Sequence, residues 1–283
     1  MKNRHSFSEK SLFIGVALAG LIAGALLISS FIGIGGNSLL CSRIGGLANN
    51  YSPAMSIQLE AIRHYATSRV VPQQSLAEVT VSFDVLKTLA PCNFLVFGLG
   101  HDSLMWTSLN PRGTTVFLEE DPKWVQTVLK DAPYLRAHNV QYRTQLSQAD
   151  DLLSSYRKEP LCSPSNAFLR GNTQCRLALD KLPDEVYETE WDLIMIDAPR
   201  GYSAQFPGRM AAIFSAAVMG RNRKRSGVTH VFLHDVDRRV EKVFAEEFLC
   251  RKNLVKAEGR LWHFELPSAV NATVAGNNAV SFC

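Results

Sequence analysis

The decapeptide Asn93-Phe94-Leu95-Val96-Phe97-Gly98-Leu99-Gly100-His101-Asp102 joins a short apolar run to a Gly-x-Gly turn, and a helical pattern containing Trp106 comes next. Glycine lets a backbone approach a bound group closely and take angles that side chains forbid. Similar apolar runs recur at residues 114–118, 140–142, 192–196 and 230–233, separated by longer amphipathic stretches. Short, fully apolar strands alternating with helices predict a parallel sheet covered on both faces. Residues 254–256 and 260–266, around Glu258-Gly259, predict an antiparallel ending. The expected class is α/β, a Rossmann-like, doubly wound fold.

In such sheets the ligand lies beyond the carboxyl ends of the strands. Glu119, Glu120 and Asp121 come after the second run, with Glu119 placed 21 residues after Gly98. An acid about 20 positions beyond a Gly-x-Gly turn is placed for ribose hydroxyls. Gly98, Gly100, Glu119 and Glu120 are therefore the expected cofactor-binding residues. Ser103 stands where a dinucleotide fingerprint wants its third glycine. That leans the assignment toward S-adenosylmethionine, which has no pyrophosphate to seat. A nicotinamide-dependent epimerase is the enzyme alternative, and no Tyr-x-x-x-Lys pair supports it.

Two later runs end in acids: residues 192–196 lead into Asp197, and residues 230–233 into His234-Asp235-Val236-Asp237. A lone strand-end aspartate is usually a helix or turn cap. Two matched acids at one sheet edge point instead to chemistry, with Asp197 also on the cofactor side. Paired carboxylates suit a hard divalent cation that holds an alcohol oxygen and lowers its pKa, so Asp197 and Asp235 are candidate metal ligands. His234 or His101 are candidates to take a proton during transfer. No acid lies between Asp197 and Asp235, while Arg200 and Arg209 fall in the loop over the expected site. Arginine grips carboxylates through two parallel hydrogen bonds, so both are candidate clamps for an anionic substrate. Nucleic acid is the rival anion, but no basic stripe interleaved with aromatics supports it.

The chain has 283 residues, 46% of them hydrophobic, with a net charge of +4. That excludes a mainly disordered chain and leaves room for one core of ordinary size. The 23 residues 12–34 carry no charge, and as a helix they would extend about 35 Å, enough to span a bilayer. Lys2, Arg4 and Lys10 precede this run, and the next charge after it is Arg43. The basic side stays cytoplasmic, which predicts a single-pass type II protein whose remainder is lumenal. Sequons at Asn50 and Asn271 agree with that side. The expected division is a cytoplasmic tail at 1–11, a signal anchor at 12–34, a lumenal stem at 35–74 with a short helix near 57–66, and a catalytic domain at 75–283. Cys162 with Cys175, and Cys250 with Cys283, are the expected disulfides in an oxidising lumen.

Residues 91–102, 115–122, 191–202, 207–210 and 231–237 closely resemble the plant glucuronoxylan methyltransferases, over essentially all of 75–283. The resemblance implies methyl transfer from S-adenosylmethionine to the 4-hydroxyl of glucuronic acid side chains on xylan. It implies further a metal-aided reaction at the Golgi membrane, with acidic xylan and other xylan-synthesis enzymes as partners and no nucleic acid. The broader family also holds arabinogalactan methyltransferases and xylan-biosynthesis proteins without a settled enzymatic role. A more distant similarity to catechol O-methyltransferase places Glu119 on the ribose and Asp197 and Asp235 on the metal. It puts Arg200 at the catalytic lysine and Val236 at a metal-ligand asparagine, leaving Asp237 or His234 to substitute. On this basis the catalytic set is Asp197, His234 and Arg200.

Overall fold

The computed structural model describes residues 52–268 and 282–283. The expected tail and anchor, both sequon asparagines and the first part of the stem, 35–51, lie outside them. Among the described residues no helix is long and apolar enough to cross a membrane. The chain divides into two units, Met1–Ser52 and Pro53–Cys283, and the second carries the sheet and the helices around it.

Its elements run α1 (Pro53–Thr67), α2 (Leu76–Leu89), β1 (Asn93–Phe97), α3 (Ser103–Leu109), β2 (Thr114–Glu119), α4 (Pro122–Asp131) and β3 (Arg136–Asn139). Then come α5 (Ala149–Tyr156), α6 (Asp184–Glu188), β4 (Leu193–Ile196), α7 (Met210–Arg221), β5 (Val228–Leu233), α8 (Arg239–Phe244), β6 (Leu254–Glu258) and β7 (Leu261–Pro267). The strands form one sheet in the order β3-β2-β1-β4-β5-β7-β6. The first five are parallel, and β7 runs antiparallel to both β5 and β6. This is the expected doubly wound sheet with its antiparallel end.

Every residue of β4 is buried, as a central strand covered on both faces requires. One core packs α5, α7 and the π-helical turn Ala245–Cys250 against Leu95, Phe97, Ile194 and Ile196. The other packs α2, α3 and α4 against Phe94, Val96, Leu193 and Met195. Alternate residues of β1 and β4 thus feed opposite cores, the period-2 rule of a strand. Helix α7 is buried almost all round, and its composition, Met-Ala-Ala-Ile-Phe-Ser-Ala-Ala-Val-Met, has no polar face to show water.

Two differences from expectation have physical causes. The third strand is Arg136–Asn139, not 140–142. It is an edge strand paired only to β2, so its exposed side favours polar residues, and the apolar signal belongs to Val140 and Tyr142, which turn under into the core. The stem helix is α1, and it is part of the compact unit. Tyr65 donates to the His101 carbonyl (2.6 Å) and accepts from the Met105 amide (3.1 Å). The compact unit therefore includes α1 together with the elements from α2 onward. Asp121 caps α4, its carboxylate accepting from the amides of Lys123 (3.0 Å) and Trp124 (3.3 Å), with Pro122 opening the helix.

Both expected disulfides are present: Cys162–Cys175 and Cys250–Cys283, each with a Cα separation of 5.3 Å. Inside the first loop the Arg143 guanidinium donates to the carbonyls of Asn172, Cys175 and Ala178, replacing absent secondary structure with a single charged hub.

Candidate active site

The carboxyl ends of β1, β2, β4 and β5 converge on one edge, where the strand order reverses between β1 and β4. Gly98 succeeds β1 with φ +126°, and a side chain there would bring its Cβ 3.2 Å from that of Ala198. Only glycine lets the two strand-end loops come this close. The Gly100 amide donates to Ser103 Oγ (2.9 Å), so the serine in place of a third glycine braces the turn.

Glu119, at the end of β2, is buried. Its carboxylate accepts from the amides of Leu99 (3.1 Å) and Asp121 (2.9 Å), tying the glycine turn to the neighbouring strand. Each oxygen has two acceptor sites, so a ribose hydroxyl can still be bound. Burial, foremost, pushes this carboxyl up against those two amides. Glu120 points elsewhere and accepts from Arg200 Nε (2.9 Å) and the Arg200 amide (3.1 Å).

Two cavities meet here. One, of about 180 Å³, is lined by Gly98, Gly100, Asp102, Glu119 and Asp197. The other, of about 340 Å³, is lined by Glu120, Asp197, Arg200, Tyr202, Asp235 and Arg238. Gln73, Glu119, Asp197 and Ala198 belong to both. Asp197 thus stands between the smaller cavity beside the glycine turn and a larger basic-rimmed pocket.

Asp197 is held from three sides. Its carboxylate accepts from Gln74 Nε2 (3.1 Å) and Arg209 Nη2 (3.3 Å) and pairs with His234 Nδ1 at 2.9 Å. Burial pushes its carboxyl up, but the His234 hydrogen bond and the Arg209 charge outweigh that and hold it below the usual range. It stays an acceptor. His234 is itself buried behind it, with Nε2 3.6 Å from Glu78 Oε1. The group that faces both cavities is therefore Asp197, with His234 bonded behind it. His101 is exposed, and its ring meets that of Trp124 edge-on.

Asp235 takes φ +60°, unusual outside glycine, and ion pairs hold it there. Arg209 (2.7 Å) and Arg238 (2.9 Å) share one carboxylate oxygen, and Arg260 (2.7 Å) takes the other. Arg209 is buried and donates also to the carbonyls of His234 (2.6 Å) and Asp197 (2.5 Å). A guanidinium thus occupies the position between the two aspartates that was expected for a divalent cation. Ligand atoms of Asp197, His234 and Asp235 lie within 4.8 Å of one another, but both carboxylates are engaged by arginine. Asp237 is exposed and outside that group. As arranged, these side chains do not fit a metal.

The same geometry separates the two arginines. Arg209 is a strut. Arg200 is nearly half exposed, lies over the Phe206 ring at 5.0 Å and lines the wider pocket. Residues that sequence reasoning missed are Gln74, left in the stem, Glu78 and Asp102. The Asp102 carboxylate accepts from Trp106 Nε1 (2.8 Å), and burial, then Asp197, pushes its carboxyl up. Its place two residues after the glycine turn was the available signal.

The family model described as IRX15/IRX15L/GXM matches residues 77–264. Arabinogalactan O-methyltransferase 1 of Arabidopsis thaliana is 66% identical over 94% of this chain and 95% of its own length. Glucuronoxylan 4-O-methyltransferase 1 of the same plant is 47% identical over 86% of this chain and 83% of its own. Protein IRREGULAR XYLEM 15, also from Arabidopsis thaliana, is 35% identical over 99% of this chain and 81% of its own.

Proposed function

From the premise that this chain belongs to the IRX15/IRX15L/GXM family, we propose that it transfers the methyl group of S-adenosylmethionine to a hydroxyl of glucuronic acid on arabinogalactan. The acceptor expected from sequence was xylan. The observation that carries the revised choice is the 66% identity to an arabinogalactan O-methyltransferase over nearly the whole chain, against 47% to a glucuronoxylan enzyme.

The cofactor would lie along Gly98 and Gly100 with its ribose on Glu119, and the sugar would enter the wider pocket. Methyl transfer is an in-line displacement, so much of the rate comes from aligning the sugar oxygen with the methyl group. Asp197, kept ionised by His234 and Arg209, is placed to accept the hydrogen bond of the attacking hydroxyl and orient its lone pair. As the methyl moves from sulfur to oxygen, the hydroxyl proton passes to the Asp197 carboxylate, while His234 holds that carboxylate through its hydrogen bond. Arg200 clamps the uronate carboxylate. Arg209 keeps the aspartates in place and takes no substrate role, and no divalent cation enters this scheme.

We place the reaction in the Golgi lumen, on a type II anchor at the Golgi membrane, among other polysaccharide-synthesis enzymes. Two disulfides support an oxidising compartment. The test is incubation of the full chain with S-adenosylmethionine and either polysaccharide, following S-adenosylhomocysteine and methylated uronic acid. Arabinogalactan is expected to give the higher kcat/KM. A preference for glucuronoxylan restores the xylan assignment, and no product with either leaves a non-catalytic scaffold.

A further inference from the structure

Strands β5 and β7 pair antiparallel, with His230 opposite Glu265 and Phe232 opposite His263. Residues two apart on a strand share a face, so His230, His263 and Glu265 stand together on one side of the sheet. His230 Nδ1 lies 3.0 Å from His263 Nε2 and 3.8 Å from Glu265 Oε1. One ligand atom from each residue falls within 4.8 Å of the others. The His263 ring is fixed by stacking on Phe232 at 4.4 Å and on His230 at 5.2 Å.

We propose that His230, His263 and Glu265 form a site for a borderline divalent cation of the zinc type, separate from the candidate active site. Two imidazoles and one carboxylate, with a fourth position left to water, are a ligand set that zinc accepts. Zinc–nitrogen bonds of about 2.05 Å at a tetrahedral angle put two ligated nitrogens about 3.3 Å apart, so the rings need part by only about 0.3 Å. Burial, foremost, pushes both imidazoles down, His263 to about 4, so both are neutral at neutral pH, the state that ligates. The Glu265 side chain is 43% exposed and gives the ion a way in. Charge nearby is mixed: Lys256 acts on His263 and Arg223 on His230, while Asp192 offsets the latter. The ion would fasten the antiparallel end of the sheet and stiffen β5, whose chain continues directly into His234 and Asp235.

The experiment uses the full chain in detergent, free of a histidine tag and dialysed against a chelator, titrated with zinc chloride by calorimetry and with cobalt(II) by visible absorption. One equivalent of zinc, a melting point raised by several degrees and tetrahedral cobalt bands are expected. His263 is buried and its replacement risks the fold, so His230→Gln and Glu265→Gln carry the test. Each should weaken zinc at least tenfold with an unchanged circular dichroism spectrum, and His230→Gln should abolish the cobalt bands. Asp197→Asn should leave zinc binding intact. No binding by the native chain, binding undiminished in His230→Gln, or binding lost in Asp197→Asn would each overturn the site.

Discussion

Arg209, enclosed by two aspartates and four carbonyl oxygens, cannot be deleted without leaving buried acceptors unpaired. Arg209→Ala leaves Asp235 with only its two more exposed partners and should lower stability by about 3 kcal/mol. Arg200 is half in solvent, and its partner Glu120 lines an open pocket. Arg200→Ala should therefore leave the melting point nearly unchanged and raise KM for the acidic polysaccharide roughly tenfold. Thermal melts and initial-rate kinetics on the two variants separate the roles, and the reverse pattern would exchange them. Sequence reasoning treated the two arginines alike because both sit in one loop between acids. What divides them is burial, set by how residues 198–209 fold back over β4 and β5, and a linear pattern carries no trace of that. Glu119 was legible because strand, turn and a spacing of about 20 residues are local signals.

Helix α2 begins with a capping box, the Ser75 amide donating to Glu78 (2.7 Å) and the Glu78 amide to Ser75 Oγ (3.3 Å). Glu78 also accepts from the Arg260 amide (2.6 Å), stapling the start of α2 to the β6–β7 turn beside His234. Burial pushes the Glu78 carboxyl up, but the amides of Ser75 and Arg260 outweigh it and hold it below its ordinary 4.5. A carboxyl lowered in the folded state contributes stability that is complete above its unfolded value and is lost as pH falls through the folded one. Denaturation followed from pH 6 to pH 3 should show stability declining below about 4.5, and Glu78→Gln should flatten that decline while lowering stability at neutral pH. An unchanged slope in the variant would remove Glu78 from the acid response. The strand pattern was largely visible beforehand, since β1, β2, β4 and β5 are apolar runs in their own residues. The third strand was not, because Arg136-Ala137-His138-Asn139 owes its extended form to pairing with β2 and not to its composition.

Across the whole molecule, one disulfide closes a stretch without helix or strand beside the Arg143 hub, and the other ties Cys283 to the end of the π-helical turn after α8. Reduction should cost on the order of 2–4 kcal/mol for each bridge, read as a drop in melting temperature with dithiothreitol. Cys162, Cys175, Cys250 and Cys283 should resist thiol labelling until reduced, and their labelling in the native chain would contradict the pairing. The net charge of +4 conceals a second whole-molecule property, the internal knot in which Asp235 meets three guanidiniums in a left-handed backbone conformation. In evolutionary terms the knot is a ratchet. Drift at Asp235 removes the partner that three arginines share, and drift at Arg209 removes the buried partner of two aspartates, so either single step should cost stability. On this reading, changes of acceptor should fall on the rim around Arg200 and Tyr202, and replacements of Arg209 and Asp235 should come in pairs.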